Sequence, residues 1–101
     1  MNEIALQLNK NNRGSFFIEE NGEHIAAMDI GIVDNVLSAY HTEVSDQLKG
    51  QGIGKRLLEA MVDYARSHQL KVIALCPFVY ASFKRHPELY EDIWLKTIKE
   101  Q

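Results

Sequence analysis

Gln47-Leu48-Lys49-Gly50-Gln51-Gly52-Ile53-Gly54-Lys55-Arg56 places a glycine at every second position from 50 to 54. An apparent strand, Val36 to Val44, precedes this stretch, and a helical apolar pattern begins at Gly52. Glycine allows a tight turn and a close backbone approach to a ligand, with no Cβ in the way. The first amides of a helix have no partners inside it, and the aligned peptide dipoles leave that end positive. A strand, a glycine loop and a helix N-terminus together form a ready anion site. Lys49, Lys55 and Arg56 add positive charge, and no acid lies between Gln47 and Leu58. The stretch therefore predicts a phosphorylated ligand, against the plainer alternative of a glycine turn that only caps a helix.

Two common nucleotide motifs fail on spacing. A Walker loop separates its first glycine from Gly-Lys by four residues and follows with Ser or Thr. Here only three residues separate Gly50 from Gly54, and Arg56 stands in the hydroxyl position. The dinucleotide fingerprint reads G-x-G-x-x-G, whereas this chain reads G-x-G-x-G.

Outward from the loop, the pattern divides the chain. Ile4, Leu6 and Leu8 alternate with polar residues, as in a half-buried strand. Ser15 to Glu20, Glu23 to Val33 and Val36 to Val44 read as further strands, with turns at Asn21-Gly22 and Asp34-Asn35. Strict alternation through the fourth strand sets Leu37, Ala39, His41 and Glu43 on one face. Ile53, Leu57, Met61, Tyr64 and Ala65 repeat at helical spacing. Leu70 to Cys76 is a short apolar strand ended by Pro77. The layout predicts an α/β (mixed α+β) fold: an antiparallel meander, then a βαβ unit with parallel strands. Val79 to Arg85 reads as a short helix, and Glu88 to Lys99 as a terminal helix with Leu89, Ile93 and Trp94 inward.

The 101 residues are read as one domain, 1–101, with 46% hydrophobic content sufficient for a core. No apolar run approaches the ~20 residues that cross a bilayer. The N-terminal residues lack a signal-peptide pattern, and the single cysteine rules out an internal disulfide and a cysteine-rich zinc site. A cytoplasmic protein with no metal is the resulting expectation. Residues 1–45 carry a net −5 and residues 46–101 a net +2, so the positive half holds the glycine loop. That balance fits a phosphate-rich small ligand better than nucleic acid, which calls for a larger basic excess. Either a monomer or a dimer is compatible with the strand edges.

The loop resembles the acyl-CoA loop of the GCN5-related N-acetyltransferases, whose pattern Gln/Arg-x-x-Gly-x-Gly/Ala is filled by Gln47, Gly50 and Gly52. His41-Thr42-Glu43-Val44, Cys76-Pro77-Phe78-Val79 and His86-Pro87-Glu88 extend the likeness to the small, minimal members of that family, over roughly residues 15–95. The resemblance implies a shortened form of the family's fold, without the helical pair that larger members insert between their first two strands. It also implies that the parallel strands flanking the loop splay apart around the pantetheine arm. Acetyl-CoA or CoA would then be held by Val44, Gln47, Lys49, Gly50, Gln51, Gly52, Ile53, Gly54 and Lys55. Lys84, beside Arg85 and His86, is a candidate for the 3′-phosphate of CoA. The acceptor would be an unidentified amine on a protein, peptide or small molecule.

Three side chains near the strand ends are the catalytic candidates: His41, Glu43 and Cys76. Glu43 stands where many members of the family keep an acidic base. His41 lies two residues away, with a side chain whose ordinary pKa suits proton transfer. Cys76 is a candidate acid or acetyl-accepting nucleophile, and its approach to His41 across the splay is an expectation. Between Cys76 and Arg85 there is no Asn, and Phe83 stands where larger members carry a proton-donating Tyr, although Tyr80 is nearby. This departure leaves a second reading open, a CoA or acetyl-CoA binding module or sensor without turnover.

Overall fold

The computed structural model describes residues 3–96. Five strands lie in chain order in one sheet: β1 (Ala5–Leu8), β2 (Arg13–Glu20), β3 (Glu23–Val33), β4 (Val36–Val44) and β5 (Lys71–Ala74). The first four pair antiparallel, while β4 and β5 run parallel, joined by the crossover helix α1 (Ile53–Ser67). This is the mixed architecture that the change of apolar period predicts. At the β2–β3 turn, Asn21 and Gly22 both take positive φ, 53° and 83°, as a tight hairpin requires.

The helices cover one face of the sheet. Register rows such as Phe16–Met28–Thr42 and Ile18–Ala26–Val44 face the helices, and their apolar members join Leu57, Met61, Val79 and Phe83 in the core. The alternate rows, Ser15–Asp29–His41 and Phe17–Ala27–Glu43, face the other way. Among the described residues no helix packs on that second face, and its aromatic rings are shielded by flat side chains instead. His24 stacks on Phe17 at 4.0 Å between centroids, and the Arg13 guanidinium lies 4.7 Å from the Tyr40 ring centre. Long or planar polar side chains lying on apolar surface in this way keep their polar atoms in water.

A one-residue bulge in β4 decides which side chains face the helices. Ile30 pairs with Ala39 and Asp29 with His41, so Tyr40 is the extra residue. An inserted residue reverses the in–out alternation that follows it. Leu37 and Ala39 are fully buried, yet His41 and Glu43 are exposed, and Thr42 and Val44 turn inward in their place. The uniform alternation read from the sequence is thus corrected at Tyr40.

The C-terminal part also departs from expectation. After α2 (Pro77–Arg85), the helix α3 spans only Pro87–Tyr90, and Leu89 is 54% exposed. Residues beyond it are captured by tertiary contacts. Arg66 donates to both carboxylate oxygens of Asp92, at 2.9 and 3.2 Å, and to the Leu89 carbonyl at 2.6 Å. Ile93 and Leu95 then hydrogen-bond Val72, adding a parallel bridge to the β5 edge. Ile93 is buried, and Trp94 packs edge-on against Tyr80 and Phe83. The end of the expected helix, residues 97–99, lies outside the described residues.

Candidate active site

The glycine loop leaves β4 through a single 3₁₀ turn, Asp46–Leu48, and enters α1 at Gly52. Gly50 and Gly52 have φ of 86° and 73°, a left-handed conformation that disfavours any side chain. A Cβ built on either glycine meets nothing within 4 Å, so that side of the loop is open space. Gly52 caps α1 with no side-chain hydrogen bond. The amides of Ile53, Gly54 and Lys55 are the orphan donors of the first helical turn. Gly54 plays a different part, because its Cβ would sit 3.2 Å from the Phe78 ring. It is a packing glycine that lets α2 close on α1. Lys49 is committed to an ion pair with Asp46 at 2.9 Å, and that contact holds the Asp46 carboxyl below its ordinary range. Gln51 donates to the Gln47 carbonyl at 3.3 Å, closing the loop on itself.

β4 outruns β5. The two pair only from Val36–Lys71 to Ala39–Ala74, after which the amides of Leu75 and Cys76 both donate to the Ala39 carbonyl. From Tyr40 to Val44 the β5 side of β4 has no strand partner, because the chain beyond Cys76 turns into α2. Ser45 donates to Ile25, its opposite number on β3. Antiparallel pairs alternate between bonded and non-bonded, so the N–H and C=O groups of Thr42 and Val44 point away from β3. They point into the gap between the diverging strands.

The candidate catalytic groups flank this gap from opposite faces of β4. On the helix-free face, His41 and Glu43 share a hydrogen bond of 3.0 Å, with side chains 56% and 77% exposed. On the helix side, Cys76 is 1% exposed and its sulfur lies 3.3 Å from the Thr42 hydroxyl. The bulge accordingly brings Thr42 to Cys76, where the sequence pattern points to His41. The segment His41-Thr42-Glu43-Val44 belongs to the resemblance without giving Thr42 a role, because the register shift that turns it inward is a property of strand pairing.

A cleft of about 270 Å³ opens between α1 and α2 beside the loop, lined by Lys55, Phe78, Ser82, Arg85 and His86 among others. Lys84 lies instead over the Tyr80 ring at 5.7 Å. Of the three basic residues at the end of α2, Arg85 and His86 share the cleft with Lys55, and Lys84 does not line it.

A parallel strand pair that opens beside a glycine loop, with a helix N-terminus below it, is the arrangement that the resemblance to acyl-coenzyme A transferases implies. The chain belongs to the GCN5-related N-acetyl-transferase family, whose model matches residues 15–93. It is 30% identical to human protein NATD1 over 77 residues, covering 74% of this chain and 68% of that protein. The chicken NATD1 protein is equally similar, with 70% of its length covered. The solution structure of a GCN5-like protein from Staphylococcus aureus superposes with a TM-score of 0.69 at 34% identity, covering 96% of this chain and 93% of that one. A more distant likeness in fold is to the aminoglycoside N-acetyltransferase AAC(6′)-Iy in complex with CoA, at 19% identity and TM-score 0.52, covering 77% and 66% of the two chains. The chain is therefore an acetyltransferase of this family. Within the described residues no helix is long and apolar enough to cross a membrane.

Proposed function

We propose that the protein transfers an acetyl group from acetyl-CoA directly to an amine that approaches from the helix-free face of the sheet. The observation that carries this reading is the gap beyond Ala39, with the backbone groups of Thr42 and Val44 turned into it. The open side of Gly50 and Gly52 and the orphan amides of Ile53, Gly54 and Lys55 fit a pyrophosphate. Lys55 and Arg85 in the adjoining cleft fit the 3′-phosphate. Acetyl-CoA supplies the activated acyl group. The protein contributes alignment, a base and a proton donor.

Glu43, hydrogen-bonded to His41, is the base that accepts the ammonium proton of the acceptor, either directly or through a water. Its exposure on the helix-free face supports that role, because an incoming amine can reach it there. Cys76 is the proton source for the departing coenzyme thiolate. The imidazole and carboxylate that could take its proton lie on the opposite face, and among the described residues only the Thr42 hydroxyl is beside it. Cys76 therefore fits a role in proton supply better than covalent attack.

The test is coenzyme release from acetyl-CoA with a panel of free lysine, spermidine, lysine-bearing peptides and peptides with free N-termini. Acetyl-CoA affinity is measured alongside by calorimetry. Wild type turns over at least one class of amine. Glu43→Gln loses about a hundredfold or more in rate, the usual contribution of a positioned base, and keeps its acetyl-CoA affinity. Acetyl-CoA binding with no turnover across the whole panel would instead favour a binding module or sensor.

A further inference from the structure

We propose that Thr42 relays the proton of Cys76, its hydroxyl fixing the buried sulfur and linking it to the β4–β5 gap. The inference takes its use from the acetyltransferase reading, but its geometry stands apart from it. Both backbone groups of Cys76 are already committed: its amide donates to Ala39 at 2.8 Å, and its carbonyl accepts from Tyr80 at 2.9 Å. Its side chain sits in the apolar core, where the Thr42 hydroxyl at 3.3 Å is its polar partner among the described residues.

Thr42 is only half-buried, its backbone groups face the gap and its hydroxyl contacts the covered thiol, so it joins the two environments. A hydroxyl both accepts and donates. Either atom can donate across this contact; in the relay the Cys76 S–H donates to Thr42 Oγ1 and the Thr42 O–H donates into the gap. When the coenzyme thiolate departs, it takes the hydroxyl proton of Thr42. The oxygen takes the Cys76 proton in turn, so the Thr42 O–H bond breaks and re-forms, the Cys76 S–H bond breaks and the coenzyme S–H bond forms. The Cys76 thiolate recovers a proton from solvent through the same hydroxyl before the next turnover. The contact joins residues 34 positions apart, and it exists because the extra residue at Tyr40 turns position 42 inward.

The chain has one cysteine, so its alkylation by iodoacetamide is read unambiguously from intact mass. The thiolate is the reacting form, and the Thr42 hydroxyl is the donor that stabilises it. Thr42→Val keeps the shape and removes the hydroxyl. It slows alkylation about tenfold, in line with loss of a hydrogen bond to a charged group. Thr42→Ser restores a rate within about threefold of wild type. A fold merely loosened by substitution would expose the sulfur and speed the reaction, so the two causes move the rate in opposite directions. A Thr42→Val rate equal to or faster than wild type, or a Thr42→Ser rate as slow as that of Thr42→Val, overturns the inference. Acetyl-CoA titration of the same three proteins keeps the two readings apart. Absence of binding in wild type removes the acetyltransferase proposal, while the alkylation rates alone decide the role of Thr42.

Discussion

Replacing Gly52 by alanine separates the backbone cost of the loop from its use. Gly52 sits at φ 73° with open space where its Cβ would be, so the substitution creates no clash within the protein. Its cost to the free protein is the left-handed conformation alone, about 1–2 kcal/mol. For a domain of this length, each kcal/mol moves the melting point by about 4–8 °C, so the variant should melt about 4–16 °C below wild type. Acetyl-CoA at a hundred times its Kd adds about 2.7 kcal/mol to the wild type, or roughly 10–20 °C. In the variant the new methyl group occupies the space assigned to phosphate. Losing one charged hydrogen bond there weakens binding by about ten- to a hundredfold. At the same ligand concentration a hundredfold loss leaves only about 0.4 kcal/mol of stabilisation, roughly 2–3 °C. Thermal unfolding with and without acetyl-CoA measures both quantities together. A variant that melts lower but keeps the full ligand-induced rise would refute the phosphate role of the loop. A wild type with no rise at all would refute acetyl-CoA binding itself.

Gly54→Ala should be nearly neutral. The Phe78 ring, 39% exposed, can yield the few tenths of an ångström that a Cβ at 3.2 Å demands. The better helix propensity of alanine offsets that shift, so thermal unfolding should change by less than about 0.5 kcal/mol. Asp92→Asn removes the Arg66 pair, whose partly exposed side chains limit the loss to about 0.5 kcal/mol. Amide exchange at Val72 and Leu95 should quicken, since these groups tie the C-terminal segment to β5. The hydrogen bond from Arg66 holds the Asp92 carboxyl below its ordinary range. Its contribution is therefore complete above the ordinary carboxylate pKa and disappears as pH falls through the lower folded value. The stability difference between wild type and Asp92→Asn should close in acid, and a difference that persisted there would rule out the ion pair as its source.

What the sequence reveals about this site is uneven, for physical reasons. The glycine loop is legible because its signal is local: conformational freedom at Gly50 and Gly52 follows from residue type, and the helix after it from apolar spacing. Local reading still merges two roles, since Gly54 resembles its neighbours in sequence and serves packing against Phe78. The helical spacing of Leu89 and Ile93 predicts a longer terminal helix than Pro87–Tyr90. Arg66 and the open edge of β5 hold the backbone beyond Tyr90 by long-range contacts that outweigh propensity. The bulge at Tyr40 is the least legible feature. Ser38-Ala39-Tyr40-His41 contains no glycine, and the inserted residue is defined only by the register against β3.

That bulge has the largest consequence for chemistry. With uninterrupted alternation, His41 and Glu43 would follow Leu37 and Ala39 onto the helix side, and a Cys–His pair across the gap would be the natural arrangement. The inserted residue sends the imidazole and the carboxylate to the helix-free face and leaves the thiol behind with Thr42. A candidate base and a candidate proton donor on opposite sides of one strand suit the proposed reaction, in which one proton leaves the acceptor as another reaches the departing sulfur. They suit a nucleophilic cysteine poorly, because the group needed to take its proton faces away. Moving the bulge would therefore change the chemistry available to this site without altering any of its three candidate side chains.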